Sequence, residues 1–275
     1  MSLPGDCPES LEAPTLSLMP ETWLSRCERY VEARTSGNES RWRELQADLQ
    51  RDFAHGQLSE SDVDWLTGAL TDSDVALREE VKWFVEFVLR VTPPLVAAPL
   101  FDPLIKTAVY ERNPSYNRYF VEPCVRSTGW QPTAQALLVY VSDGTDFEKA
   151  GAVNALYWAF AHSRSHSHDL TDRVPDPPES EGESPSATWH RAQRIFLEEF
   201  VRNPDVDVRR SIVPHLHDVS RYHSDLEGLA QEARRIGLSH PDEYIQARAE
   251  ITWGDHHGQK VQFPALPHRP PPAEE

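Results

Sequence analysis

The apolar positions of this chain recur three and four residues apart over most of its length, which is the spacing of one helix face. From Pro20 the run Trp23, Leu24, Cys27, Tyr30 and Val31 follows this spacing until Gly37 and Asn38 stop it. Trp42, Leu45, Leu49 and Phe53 repeat it as far as Gly56. Ser59, with Asp62 in the first turn, opens a further helix in the manner of a capping box, and Val63, Leu66, Ala69 and Leu70 form its apolar face. After the turn 71–74 comes the broadest stripe, Leu77, Val81, Phe84, Val85, Val88 and Leu89, widened by Val75, Trp83 and Phe87. A helix this apolar is covered on more than one side. Pro93 and Pro94 end it.

Shorter helices follow. Their apolar faces are Leu104, Ile105, Ala108 and Val109; then Tyr116, Tyr119, Phe120, Cys124 and Val125; then Ala134, Leu137, Leu138 and Val141; then Phe147, Ala150, Val153, Leu156, Tyr157 and Phe160. The rhythm resumes at Trp189 with Ile195, Phe196, Phe200 and Val201. It continues through Val208, Ile212, Leu216 and Val219, then Leu226, Leu229, Ala233 and Ile236, and closes on Tyr244, Ile245, Ala247, Arg248 and Ile251. In Asp102-Pro103 and Asn113-Pro114 a capping residue precedes proline, and proline in the first helical position loses no hydrogen bond. Gln131-Pro132 and His240-Pro241 are expected to do the same, whereas Pro123 and Pro214 fall inside helical patterns and predict kinks.

Three stretches lack the pattern. Residues 1–19 read as a disordered leader and residues 255–275 as a disordered tail. Residues 163–187 hold no aromatic residue, six acids and four prolines, too little apolar surface to fold alone, and read as an acidic Pro/Ser-rich loop. The helical segments 20–162 and 188–254 on either side of it belong to one array of about twelve helices, or five to six helix hairpins.

Charge narrows the partners. The chain has 44 acidic and 27 basic residues, a net charge of −17, whereas a phosphate backbone selects clustered Lys and Arg. Nucleic acid and anionic membrane surfaces are therefore not expected as partners, and a basic protein is. The three cysteines, Cys7, Cys27 and Cys124, form no CxxC pair, which argues against a disulfide framework and suits a reducing cytoplasm. No Lys or Arg occurs in the first 25 residues and no apolar run is long enough for a signal or a membrane span, so a cytoplasmic protein is expected.

A motif repeats along the array. Asp74-Val-Ala-Leu-Arg78 matches Asp205-Val-Asp-Val-Arg209, and the runs 114–118, 145–149 and 242–246 match more loosely, each followed by an apolar helix. The basic positions 78, 118, 149 and 209 lie 40, 31 and 60 residues apart, the last gap containing the acidic loop. Repeats of this length with a helix pair each indicate a solenoid. An acidic turn, a basic residue four positions on and an apolar helix together resemble the second helix of HEAT-like (armadillo/HEAT-type) repeats over about residues 58–253. Gln246 and Pro114 depart from that pattern. The resemblance implies an all-α, right-handed α-solenoid of five to six stacked helix hairpins. It further implies that Asp74, Arg78, Lys149, Asp205 and Arg209 form a ladder of contacts between neighbouring units, and that the face lined by second helices binds a protein.

Catalytic signatures are weak. His162, His166, His168 and Asp169 have ligand-type side chains but enter the Pro/Ser-rich loop, where nothing fixes a metal geometry, so a solvated loop is expected. His215 and His217 are expected on different helix faces, and His256 and His257 lie in the tail. There is no GxSxG elbow and no phosphate-cradling glycine pattern, Cys124 beside Pro123 reads as a core thiol, and the acid pairs Glu79-Glu80 and Glu198-Glu199 diverge on their helices. The expectation is a non-catalytic interaction module without metal or cofactor, either an acidic inhibitor or immunity-type protein masking a basic toxin or effector, or an adaptor, with loop 163–187 as gate or tether. Arg118, Tyr119, Asn154, Trp158 and Arg248 are the candidate partner-binding residues, since aromatics and Arg dominate binding hot spots. The competing reading is a DNA glycosylase, because some HEAT-like proteins remove alkylated bases with Trp, Asp and Arg in a basic channel. Trp83, Trp130 and Trp158 would serve it, and the net charge of −17 opposes it.

Overall fold

A computed structural model describes residues 23–54, 60–71, 75–91, 99–111, 113–165, 184–217 and 223–254. Every regular element among these residues is helical. The twelve α-helices are α1 (Trp23–Thr35), α2 (Glu39–Ala54), α3 (Glu60–Thr71), α4 (Val75–Val91), α5 (Phe101–Tyr110), α6 (Arg118–Thr128), α7 (Trp130–Asp143), α8 (Asp146–Ser165), α9 (Pro185–Arg202), α10 (Val206–Ile212), α11 (Glu227–Leu238) and α12 (Glu243–Trp253). A short 3-10 turn, Val213–His215, follows α10. No helix among the described residues is long and apolar enough to cross a membrane.

The helices pack in two layers. The odd-numbered helices from α3 to α11 touch in succession, as do the even-numbered helices from α4 to α12, and each of the pairs α3–α4, α5–α6, α7–α8, α9–α10 and α11–α12 is in contact. The first two helices depart from this order, since α1 and α2 both pack on α4. One apolar cluster runs through the molecule from Cys27 to Trp253. Phe84, Phe87, Phe120 and Phe200 are wholly enclosed in it, each contributing roughly 2–3 kcal/mol of transfer free energy. Alanines 152, 155 and 159 line the buried side of α8, where their small size lets α7 and α10 approach.

The prolines act differently from the sequence expectation. Among the described residues, side-chain caps fall on Asn38, Thr145, Ser184, Asp205 and Asp242, whose oxygens accept from Arg41 N (3.0 Å), Glu148 N (3.3 Å), Ala187 N (3.3 Å), Val208 N (2.9 Å) and Ile245 N (3.1 Å). Asp102 and Gln131 lie inside the first turns of α5 and α7, so Pro103 and Pro132 occupy the third position of each helix. This is tolerated because the amides of the first turn have no intrahelical acceptor. Asn113 accepts from Ser115 N (3.0 Å) in a turn well before α6, and Pro241 precedes the cap of α12. Pro185 stands at the start of α9, directly after its cap. Pro123 sits within α6, but Pro214 belongs to the 3-10 turn, and Leu216 beyond it is extended, so α10 ends at Ile212. Lacking an amide proton, Pro214 cannot continue the α-helical ladder. Helices also claim both flanks of the acidic segment, for α8 reaches Ser165 and α9 begins at Pro185. The leader 1–19, the tail 255–275 and positions 166–183 lie outside the described residues, as do Asp74, His166, His168, Asp169, His256, His257 and the side chains of Arg78 and His162.

Candidate functional site

A cleft of about 1140 Å3 opens on the even-numbered layer. Its walls are helix faces, each set by the three-and-four spacing. Helix α8 presents Ala150, Asn154, Tyr157, Trp158 and Ala161; α9 presents Trp189, Ala192, Gln193 and Phe196; α10 and the turn after it present Asp207, Arg210, Ser211 and Pro214; α12 presents Tyr244 and Arg248. Alanines on α8 and α9 leave the space that the rings border.

Aromatic contacts tie these walls together. Phe160 stacks on Trp189 at 4.0 Å, Tyr157 meets Trp158 edge-on at 5.0 Å, and the His215 ring lies 6.3 Å from Tyr157 and 5.5 Å from Phe196. Trp158 Nε1 donates to the Pro114 carbonyl at 3.0 Å, which fixes the indole across the α6–α8 junction. Tyr157 remains 55% exposed beside the cleft.

Ion pairs fix the other side. Arg210 of α10 donates to Asp242, the cap of α12, at 2.5 and 3.3 Å, and its other terminal nitrogen lies 3.4 Å from Asp207. The hydrogen bond to Asp242 holds the Arg210 guanidinium above its ordinary range. Burial pushes the Asp242 carboxyl up, but Arg210 and the Ile245 amide outweigh burial and hold it below the usual carboxylate value. Arg248 Nε donates to the Tyr244 hydroxyl at 3.4 Å. With Asp207 and Asp242 against Arg210 and Arg248, this part of the site is balanced in charge inside a chain of net charge −17.

Of the five residues nominated from sequence, Asn154, Trp158 and Arg248 line this cleft. Arg118 lies at its edge, with the guanidinium 5.8 Å above the Trp158 ring. Tyr119 sits behind Arg118, accepting from it at 2.8 Å, and that hydrogen bond raises the Arg118 guanidinium above its ordinary range. Tyr157, Arg210, His215 and Tyr244 are additions from the structure. His215 and His217 both line the cleft, because the helix has already ended at Ile212 and the chain leaves the 3-10 turn extended. Expecting them on different helix faces assumed a helix that Pro214 prevents.

The ladder positions divide. Lys149 pairs with Glu199 of α9 at 2.7 Å and Asp205 caps its own helix. Arg209 turns inward, donating to the carbonyls of Phe200 (3.0 Å) and Val201 (3.4 Å) at the end of α9. The link from α10 to α12 is made by the neighbouring Arg210. Among the described residues no group of three or more His, Cys, Asp or Glu could hold a metal ion.

Comparison with family models, with curated proteins and with solved structures finds no match.

Proposed function

We propose that this chain is a HEAT-like α-solenoid that binds a protein partner through its even-numbered helix face, with the cleft of α8, α9, α10 and α12 as the anchoring pocket. The supporting observation is that this cleft gathers Asn154, Trp158 and Arg248 with the exposed Tyr157. Tyr, Trp and Arg are the residues that dominate binding hot spots, and concave sites bordered by rings with a few polar groups are typical receptors. The alternation of layers supports the solenoid, in which stacked pairs bury what one pair cannot. The acidic balance selects a basic partner, as for an inhibitor masking a basic toxin or effector, or for an adaptor. A pull-down from cognate lysate at low and high salt, after nuclease treatment, tests this. Wild-type protein retains one basic protein near stoichiometrically, less at high salt, and Tyr157→Ala and Arg248→Met lose it while keeping wild-type helicity. Retention unaffected by either substitution would remove the cleft from the account.

A second reading, a DNA glycosylase, draws on the same cleft, where Trp158 accompanies Asp207, Arg210 and Arg248. The charge of −17 weighs against it. Release of alkylated bases from duplex DNA, with strongly salt-dependent binding, would replace the first reading with this one.

A further inference from the structure

The cleft selects against a strongly charged ligand. A cation entering it meets Arg210 and Arg248, and an anion meets Asp207. What the walls offer is rings on three helices (Tyr157, Trp158, Trp189, Phe196 and Tyr244) interspersed with the amides of Asn154 and Gln193. That surface suits a stiff, largely apolar chain with carbonyls in need of donors. A proline-rich segment has this chemistry, since its polyproline II form makes no internal hydrogen bonds, is already ordered, and docks in aromatic-lined grooves.

The sequence contains such a segment. Pro264-Ala-Leu-Pro267-His-Arg-Pro270-Pro-Pro272 carries two overlapping PxxP spacings and a single charged residue, Arg269, so it is not a strongly charged ligand. The segment lies outside the described residues, but the point where the chain sets out toward it is described. Helix α12 ends at Trp253, whose Nε1 donates at 2.8 Å to the carbonyl of His217, a cleft residue. The chain therefore leaves α12 at the cleft rim. From Gly254 back to Arg248 is about 9 Å along the helix at 1.5 Å per residue. The nine residues 255–263 can span about 30 Å, so the tether is long enough.

We propose that the cleft binds the proline-rich segment Pro264–Pro272 of this same chain, so that the site is occupied in cis until a partner displaces it. The proposal rests on the reading of the cleft as the recognition surface. A short tether gives the segment an effective concentration in the millimolar range, enough to compete with a partner of micromolar affinity.

The test uses the full chain and a fluorescein-labelled synthetic peptide of residues 261–273, with binding read by anisotropy. The full chain carrying Pro264→Ser, Pro267→Ser and Pro270→Ser binds this peptide at least tenfold more tightly than the wild-type chain, in which the tethered segment competes. Adding Tyr157→Ala, at an exposed position whose loss leaves the core intact, weakens peptide binding to the triple variant at least tenfold. Equal affinity for wild-type and triple-variant chains, no binding to either, or binding indifferent to Tyr157→Ala would each overturn the proposal. If the triple variant fails to bind peptide yet still captures a partner through position 157, only the occupant is wrong and the recognition surface stands.

Discussion

Arg210 and Asp242 join two successive helices of the even-numbered layer through one carboxylate that serves two purposes. Asp242 accepts from the Ile245 amide at 3.1 Å to cap α12, and from Arg210 of α10 at 2.5 Å. The cleft wall that carries Tyr244 and Arg248 thus takes its position from α10. The apolar packing of α12 is mainly against α11 and the turn after α10, and this ion pair adds a direct link to α10 itself.

Asp242→Ala removes cap and ion pair together and should lower unfolding free energy by about 2 kcal/mol, whereas Asp242→Asn keeps a capping oxygen and should cost about 1 kcal/mol. Urea denaturation of the two variants separates the contributions. Equal losses would mean that the cap carries no weight.

Acid should act on the same junction. Burial, assisted by the Arg209 charge, holds His240 below its ordinary value of 6.5. The unfolded chain therefore takes up this proton first, so the stability linked to His240 is complete above about pH 6.5 and is lost as pH falls through the folded value. Asp242 is held below 3.8, so its contribution persists to lower pH and is lost only under stronger acid. Denaturation midpoints should be level from pH 8 to 7 and decline below 6.5. His240→Gln should flatten the part of the decline that begins just below pH 6.5 and leave the part below pH 3.8.

Lys82 and Glu111 form an enclosed pair at 2.7 Å, with side chains 7% and 5% exposed. Lys82→Met leaves a buried carboxylate without its counter-charge and should cost about 3–5 kcal/mol. The double variant Lys82→Met with Glu111→Gln should recover much of that loss, giving a coupling energy of at least about 1 kcal/mol in a double-mutant cycle. Additive losses would show that the pair is not an energetic unit.

Gly237 permits the close approach of α11 to α12. A methyl group there would stand 2.8 Å from Ala249 Cβ and 2.9 Å from Trp253 Cζ3. Gly237→Ala should destabilise by about 1–3 kcal/mol through overpacking, despite the better helix propensity of alanine. Because Trp253 also holds His217 at the cleft rim, the same variant should weaken partner binding, measurable by titration calorimetry. A gain in thermal midpoint would contradict the packing described.

The helices were legible because they bury one face each, and burial imposes the three-and-four spacing that Phe84, Leu137 or Phe200 display. Their ends were less so. Ser184, Asp205 and Asp242 cap, while Asp102, placed equally well in sequence, lies inside a first turn, because α5 begins one residue earlier, at Phe101. The site was readable where it coincides with a helix face, as for Asn154 and Trp158, four residues apart on α8. Arg210 was hidden by Arg209: the repeat motif marks the arginine four positions after Asp205, but that side chain turns in to the carbonyls ending α9, and its neighbour makes the link to α12. His215 and His217 were misplaced because their common side depends on the break at Pro214. The cleft across α8, α9, α10 and α12 is a tertiary feature, and periodicity within one helix does not contain it.

Recognition of a protein by the even-numbered face can be read by site-specific photo-crosslinking. A benzoylphenylalanine at position 157, beside the cleft, is compared with one at position 139, equally exposed on α7 of the opposite layer (55% and 56%). In nuclease-treated cognate lysate one basic protein should be trapped at position 157 and not at 139. Trapping of the same protein at both positions, or at 139 alone, would contradict recognition by that face.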